Sequence, residues 1–301
     1  MSKNYRLSAV DLVNFIYWLF MVFFYLFAFR EVKEKIYGFV LLSFLMIFEI
    51  FIIKYRNIKT NNNFTKLLHL LYPAIFLIFV FDSIHISLPY INPNIYDEAL
   101  ANIDYNLLGF HPTVAIEKII NPYLTELMYY LYLFYFFMPF IIIAYLFRKK
   151  MFRELDKTVL FLIMTFYGSY LLYFAFPALG PRFYQPLVAL QTVPLKGILF
   201  TDTIRNTISM LEHNKFDAFP SLHAAVSLSV LIAIAKYRKK WLYLFIPIVT
   251  GIFISLIYCR YHYFIDIIGG VVWTFICYFL VEKYYDKFYP KYFAPYYSDQ
   301  V

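Results

Sequence analysis

Long apolar runs recur along this chain. The stretch 241–258, WLYLFIPIVTGIFISLIY, carries no charged residue. A helical run of about 18–20 apolar residues matches the hydrocarbon thickness of a bilayer. Runs near that length fall at 9–29, 36–54, 66–89, 124–147, 158–176, 221–236, 241–258 and 264–282. The expected fold is therefore all-α, a polytopic transmembrane helical bundle of about eight spans. Composition agrees. The 301 residues are 62% hydrophobic and 15% charged, whereas a soluble domain is about half apolar and about a quarter charged. The sixth run is short for a full crossing unless its polar start dips into the membrane. The first run is long and lacks a small-residue cleavage site, so it reads as a signal anchor. Cys259 and Cys277 give neither a disulfide framework nor metal-ligand spacing.

Lys and Arg set the expected orientation. Most of them cluster in segments 54–66, 148–157, 236–240 and 283–291. Cytoplasmic loops carry such excess, which puts both termini inside and accounts for the formal charge of +8 without a nucleic-acid partner. One loop conflicts locally: REVKEK, Arg30 to Lys35, holds three basic residues on the expected outer side. Two outer segments are long. In the first, 90–123, Leu100, Ile103, Leu107 and Leu108 recur at helical spacing among Asp97, Glu98 and Asp104. That pattern predicts an amphipathic helix lying on the outer membrane surface. The second, 177–220, has too much Pro and Gly for one long helix.

Three polar clusters fall on that outer side. They are Gly180-Pro181-Arg182, Ser221 with His223, and YCRYHYFIDIIGG from Tyr258 to Gly270. His262 and Asp266 are four residues apart, which on a helix puts them on one face. A carboxylate on one imidazole nitrogen fixes the tautomer and frees the other as nucleophile or base. The same pair also reads as a capping His beside a polar Asp facing the bundle interior. Ser221 is a candidate N-cap after Pro220. The N–H groups of Leu222 and His223 would then favour an anion at the helix end. There His223 could protonate a leaving oxygen; equally, it reads as an interfacial residue. Arg182 and Arg260 could grip a phosphoryl group or snorkel to headgroups. Two His, one Asp and one or two Arg at a helix N-terminus suit phosphoryl transfer through a phosphohistidine, with no metal or cofactor. Asp82 and His85, near the outer end of the third run, could line a headgroup pocket or satisfy each other. The Tyr and Phe residues read as lipid contacts and interfacial belts.

FPSLHAA and RYHYFID resemble the second and third signature motifs of the type 2 phosphatidic acid phosphatase superfamily. The form Pro-Ser-Leu-His with His-Tyr-Phe-Ile-Asp is most similar to its inositol phosphorylceramide synthase branch, as is DEALANIDYNLLGFHP upstream. The resemblance covers roughly 66–284. It implies a six-helix phosphatase-like core preceded by two extra spans: an N-terminal pair in 1–60, a catalytic membrane domain in 61–290 and a short tail in 291–301. It implies that His262 attacks phosphorus, Asp266 orients it, and His223 serves the leaving and incoming alcohols. Ser221 and nearby amides would hold phosphate. The chain departs from the family's first motif, which has a Lys where Ala175 stands and a Pro where Phe183 stands. It departs from the third where Leu256 replaces an Arg, for which Arg260 could substitute.

The leading expectation is a lipid phosphotransferase. It would move a phosphoryl-headgroup, such as phosphoinositol, from a phospholipid donor to a lipid alcohol acceptor. A lipid phosphate phosphatase would use the same residues with water as acceptor. A transporter relaying protons would need ionisable groups through the whole bilayer depth, and the strong cluster is confined to the outer third.

Overall fold

The structure, a computed structural model, describes residues 7–27, 32–58, 63–211 and 215–292. Their regular structure is helical, with no strand among them. The first three helices are α1 (Ala9–Phe27), α2 (Val32–Ile58) and α3 (Asn63–Ile91). A short region follows with α4 (Asp97–Leu108) and one turn of α5 (Pro112–Ala115). Next come α6 (Pro122–Phe134) and α7 (Met138–Arg148), joined by a 3-10 turn, and then α8 (Phe152–Ala175). The connection to the last three helices carries α9 (Gln185–Val188) and α10 (Thr201–Leu211). Those last three are α11 (Leu222–Tyr237), α12 (Leu242–Tyr258) and α13 (Phe264–Tyr292).

Five stretches among the described residues are long and apolar enough to cross a membrane: Gly38–Tyr55, Pro122–Arg148, Phe152–Ala175, Lys239–Tyr258 and Phe264–Lys287. Shorter apolar helices at Ala9–Phe23, Leu71–Phe81 and Leu222–Tyr237 occupy the other three expected positions. The all-α bundle is as the sequence predicts.

The helix that begins with the FPSLHAA motif is the innermost one. α11 packs on α7, α8, α12 and α13, and Ala224, Ala225, Val226, Ser227, Ser229, Val230 and Ala233 are all buried. Small side chains let neighbouring backbones come close, as in membrane interfaces generally. Gly270 of α13 shows how close: a Cβ there would run into the Ser221 carbonyl. The N-terminal helices attach through polar bonds in an apolar setting. The Trp18 indole donates to Glu49 at 2.8 Å, and the Tyr72 hydroxyl donates to Asp11 at 2.5 Å. Leaving such carboxylates unpaired in lipid would cost several kcal/mol. α1 also packs on α8, joining the pair to the rest of the bundle.

α4 shows a contact that the sequence reading did not contain. Its buried face is Asp97, Leu100, Ala101 and Asp104, with both carboxylates at most 2% exposed. Ile103 and Leu107, expected on the apolar face, are exposed. The helix therefore docks on the protein through two acids, and α13 is one of its neighbours. His213 and residues 293–301 lie outside the described residues, as do the side chains of His69, Asp82 and His85.

Candidate active site

The C-terminal end of α8, the start of α11 and the α12–α13 turn meet at one end of the bundle. At the end of α12, Arg260 takes a left-handed backbone with φ 64°. Its N–H bonds the Ile257 carbonyl and the Tyr261 N–H bonds that of Leu256, each at 3.0 Å. This is a Schellman turn, normally closed by glycine. It swings the chain so that His262 crosses the mouth of the bundle. α13 then starts with half a capping box: the Asp266 carboxylate accepts from the Tyr263 N–H at 2.7 Å.

His262 therefore precedes the helix, and its pairing with Asp266 is not the helix-face contact expected from their spacing. Nδ1 lies 3.4 Å from Asp266 Oδ2 but only 2.9 Å from the Ala218 carbonyl. A carbonyl only accepts, so this contact puts the proton on Nδ1 and leaves Nε2 with its lone pair. Nε2 faces His223 Nδ1 at 3.4 Å. His262 is buried, and burial with the nearby Arg182 charge brings its pKa down to about 3 against the opposing Ala218 bond. The imidazole is neutral at physiological pH, as a nucleophile requires.

His223 opens α11 in an aromatic frame, with Tyr135 and Tyr132 ring centres at 4.3 and 4.6 Å. Its Nε2 has no hydrogen-bond partner among the described residues. Ser221 is the N-cap, accepting from the Ala224 N–H, while its own N–H donates to the Asp266 carbonyl. It is fully buried, so it binds the two motifs to each other. Leu222 supplies the first N–H of the helix, a group that the helix itself leaves without a carbonyl.

The two arginines part company. The Arg182 guanidinium lies 4.1 Å over the Tyr261 ring, which stacks on Tyr132 beside His223. Its charge acts on both imidazoles. Gly180, with φ 89°, is what lets this loop sit down: a Cβ there would lie 2.5 Å from the Tyr261 carbonyl. Arg260 instead pairs with Glu117 at 2.5 Å and donates to the Val193 carbonyl at 2.6 Å. Burial lowers its pKa, partly offset by Glu117. The expected role of Arg260 as a phosphate ligand finds no support in this pairing, which ties loops together instead.

A cavity of about 810 Å³ opens beside His223. Its wall is apolar, with Leu77, Phe81, Phe140 and Ile163 among its residues, and Ile204 and Ile208 of α10 closing one side. Apart from tyrosines, its ionisable groups are His223 and Asp217. Among the described residues, no three His, Cys, Asp or Glu side chains converge as a metal site would require. The sequence reading passed over Asp217, the Ala218 carbonyl and the tyrosines around His223. Asp217 stands two residues before the motif, a position that could have flagged it. A backbone carbonyl and a tyrosine among 31 leave no such trace.

Comparison with known proteins adds to this geometry. A PA-phosphatase related-family protein of Dictyostelium discoideum is 29% identical over 137 residues, 43% of this chain and 24% of that protein. The match thus spans about a quarter of that relative's length. No solved structure matches the chain. The PAP2 superfamily pattern matches residues 98–280, which include α4 after its first residue, Arg182, both histidines and Asp266. That range is well over half of the sequence, and the match does not reach to a branch such as the inositol phosphorylceramide synthases; at the level of the superfamily, the chain belongs to PAP2.

Proposed function

We propose that this protein is a membrane enzyme acting on lipid phosphoesters through a phosphohistidine at His262. The observation that carries the reading is the pair of facing imidazoles, His262 with its tautomer set by the Ala218 carbonyl and His223 on the wall of an apolar cavity. The His262 Nε2 lone pair attacks phosphorus and the ester P–O bond breaks. His223 gives its proton to the departing alcohol oxygen. An acceptor hydroxyl then loses its proton to His223, its oxygen bonds to phosphorus, and the P–N bond returns its electrons to Nε2. Arg182 and the first amides of α11 would offset the charge on the other phosphate oxygens. Asp266 would support the His262 imidazole from the Nδ1 side.

The acceptor we favour is a lipid alcohol, and the transferred group a phosphoryl-headgroup such as phosphoinositol. The supporting feature is the deep burial of His262 and Asp266 beside a cavity with an apolar wall, which limits water. Hydrolysis is the second reading, favoured by the printed name of the D. discoideum relative. In vesicles containing ceramide and phosphatidylinositol labelled in its inositol, transfer puts the label into a second lipid. Release of label only into water supports hydrolysis. No conversion of this donor or of phosphate-labelled phosphatidic acid would refute both.

A further inference from the structure

We propose that α4 is a positioning brace: Asp97 and Asp104 fix the Arg182 loop and the His262 loop at a set separation. This rests on the reading above, in which both loops serve one reaction. Asp104 receives the Phe264 N–H on Oδ2 at 2.7 Å and the Ile265 N–H on Oδ1 at 2.8 Å. It thus caps α13 two residues after His262. Asp97 receives the N–H groups of Leu179 and Gly180, both at 2.7 Å, just ahead of Arg182. The same carboxylate takes the Tyr263 hydroxyl at 2.8 Å. One helix, with its two acids seven residues apart on one face, therefore holds both loops, and the Tyr263–Asp97 bond links them directly.

Five donors on two buried carboxylates are more than helix docking needs, since a leucine at either position would bury apolar area without desolvating a charge. The donors are mostly backbone N–H groups, so what the acids define is where two loops run. Burial pushes the pKa of each acid upward, and the hydrogen bonds from the loops oppose that push. Neither acid touches the imidazoles in this arrangement. Their effect on the reaction passes through loop position, and a displacement of about 1 Å can cost on the order of 10²-fold in rate.

Asparagine separates shape from charge pattern. In Asp104→Asn the size is kept, but one acceptor becomes an amide facing a backbone N–H. Asp104→Glu keeps both acceptor oxygens on a longer stem. Tyr263→Phe removes only the link between loops. Each variant, with wild type and His262→Ala, is assayed on phosphate-labelled phosphatidic acid in mixed micelles, and hydrogen exchange is followed in segments 177–184 and 259–268. Asp104→Asn should lower kcat by about 10–100-fold with KM nearly unchanged, with faster exchange confined to 259–268. Asp104→Glu should recover part of that loss. Asp97→Asn should speed exchange in 177–184, and its kcat loss should be non-additive with that of Tyr263→Phe. Wild-type kcat in both asparagine variants, or exchange accelerated uniformly over the whole chain, would overturn the brace. If wild type and His262→Ala convert the lipid equally, the phosphohistidine reading fails, and the exchange pattern alone then decides whether the brace exists.

Discussion

Which nitrogen of a histidine reacts is decided by what holds the other one. In His262 that holder is chiefly a backbone carbonyl, with Asp266 farther away and closing the helix start. Asp266→Asn should therefore cost less than loss of either imidazole. His223→Ala should lower turnover by about 10²–10⁴-fold, the usual range for a general acid–base group, measured with labelled phosphatidic acid. The buried imidazole also makes a pH prediction. Its pKa is about 3 in the folded protein and about 6.5 in an unfolded chain. Between these values the unfolded chain takes up a proton that the folded one excludes. Its contribution to stability is thus full above about pH 6.5 and is lost as pH falls toward 3. Thermal unfolding followed from neutral to acidic pH should show this decline in the wild type and a shallower one in His262→Gln; identical slopes would contradict the assignment. Both histidines and Asp266 were legible as candidates, from their shared membrane side and from the resemblance of their motifs to the family's. The Ala218 carbonyl was not, because backbone groups are identical at every position and only the fold selects one.

Helices were easier to read than their faces. Among the described residues each of the eight apolar runs falls on a helix, yet neither the central packing of α11 nor the docking of α4 through its acids could be read from the sequence. A wholly apolar helix carries no periodic stripe to show which neighbours it has, so its burial was invisible. In α4 the leucines and isoleucine outnumber the acids, and the hydrophobic pattern drew attention away from the face that docks on the protein. The spacing Asp97–Asp104 was the available clue, since two acids on one face only make sense if that face finds donors. Close helix crossing gives a prediction here. Gly270→Val would push α13 off the Ser221 carbonyl and separate the second and third motifs. Overpacking of this kind costs about 1–3 kcal/mol. A melting temperature measured in detergent should fall by several degrees, with a larger relative loss of turnover; an unchanged melting temperature and rate would show that the crossing is looser than described.

Taken whole, the molecule gathers its chemistry at one end and a cluster of lysines and arginines at the other. The Lys157, Lys236 and Arg153 side chains pair with Glu282 and Asp286 at the end opposite the histidines. The charge rule leads to the expectation that this end faces the cytoplasm and the site faces outward, and labelling tests it. A cysteine placed at the exposed Gln185 should react with an impermeant thiol reagent from outside intact cells; labelling only after lysis would invert the orientation. The account depends most on one atom, Nε2 of His262. Purified protein turning over phosphate-labelled phosphatidic acid, then denatured at alkaline pH where phosphohistidine survives, should carry label on the peptide containing His262. His262→Ala should carry none, and His223→Ala should retain label with slowed release. Label on another residue, or full turnover in His262→Ala, would contradict the phosphohistidine mechanism.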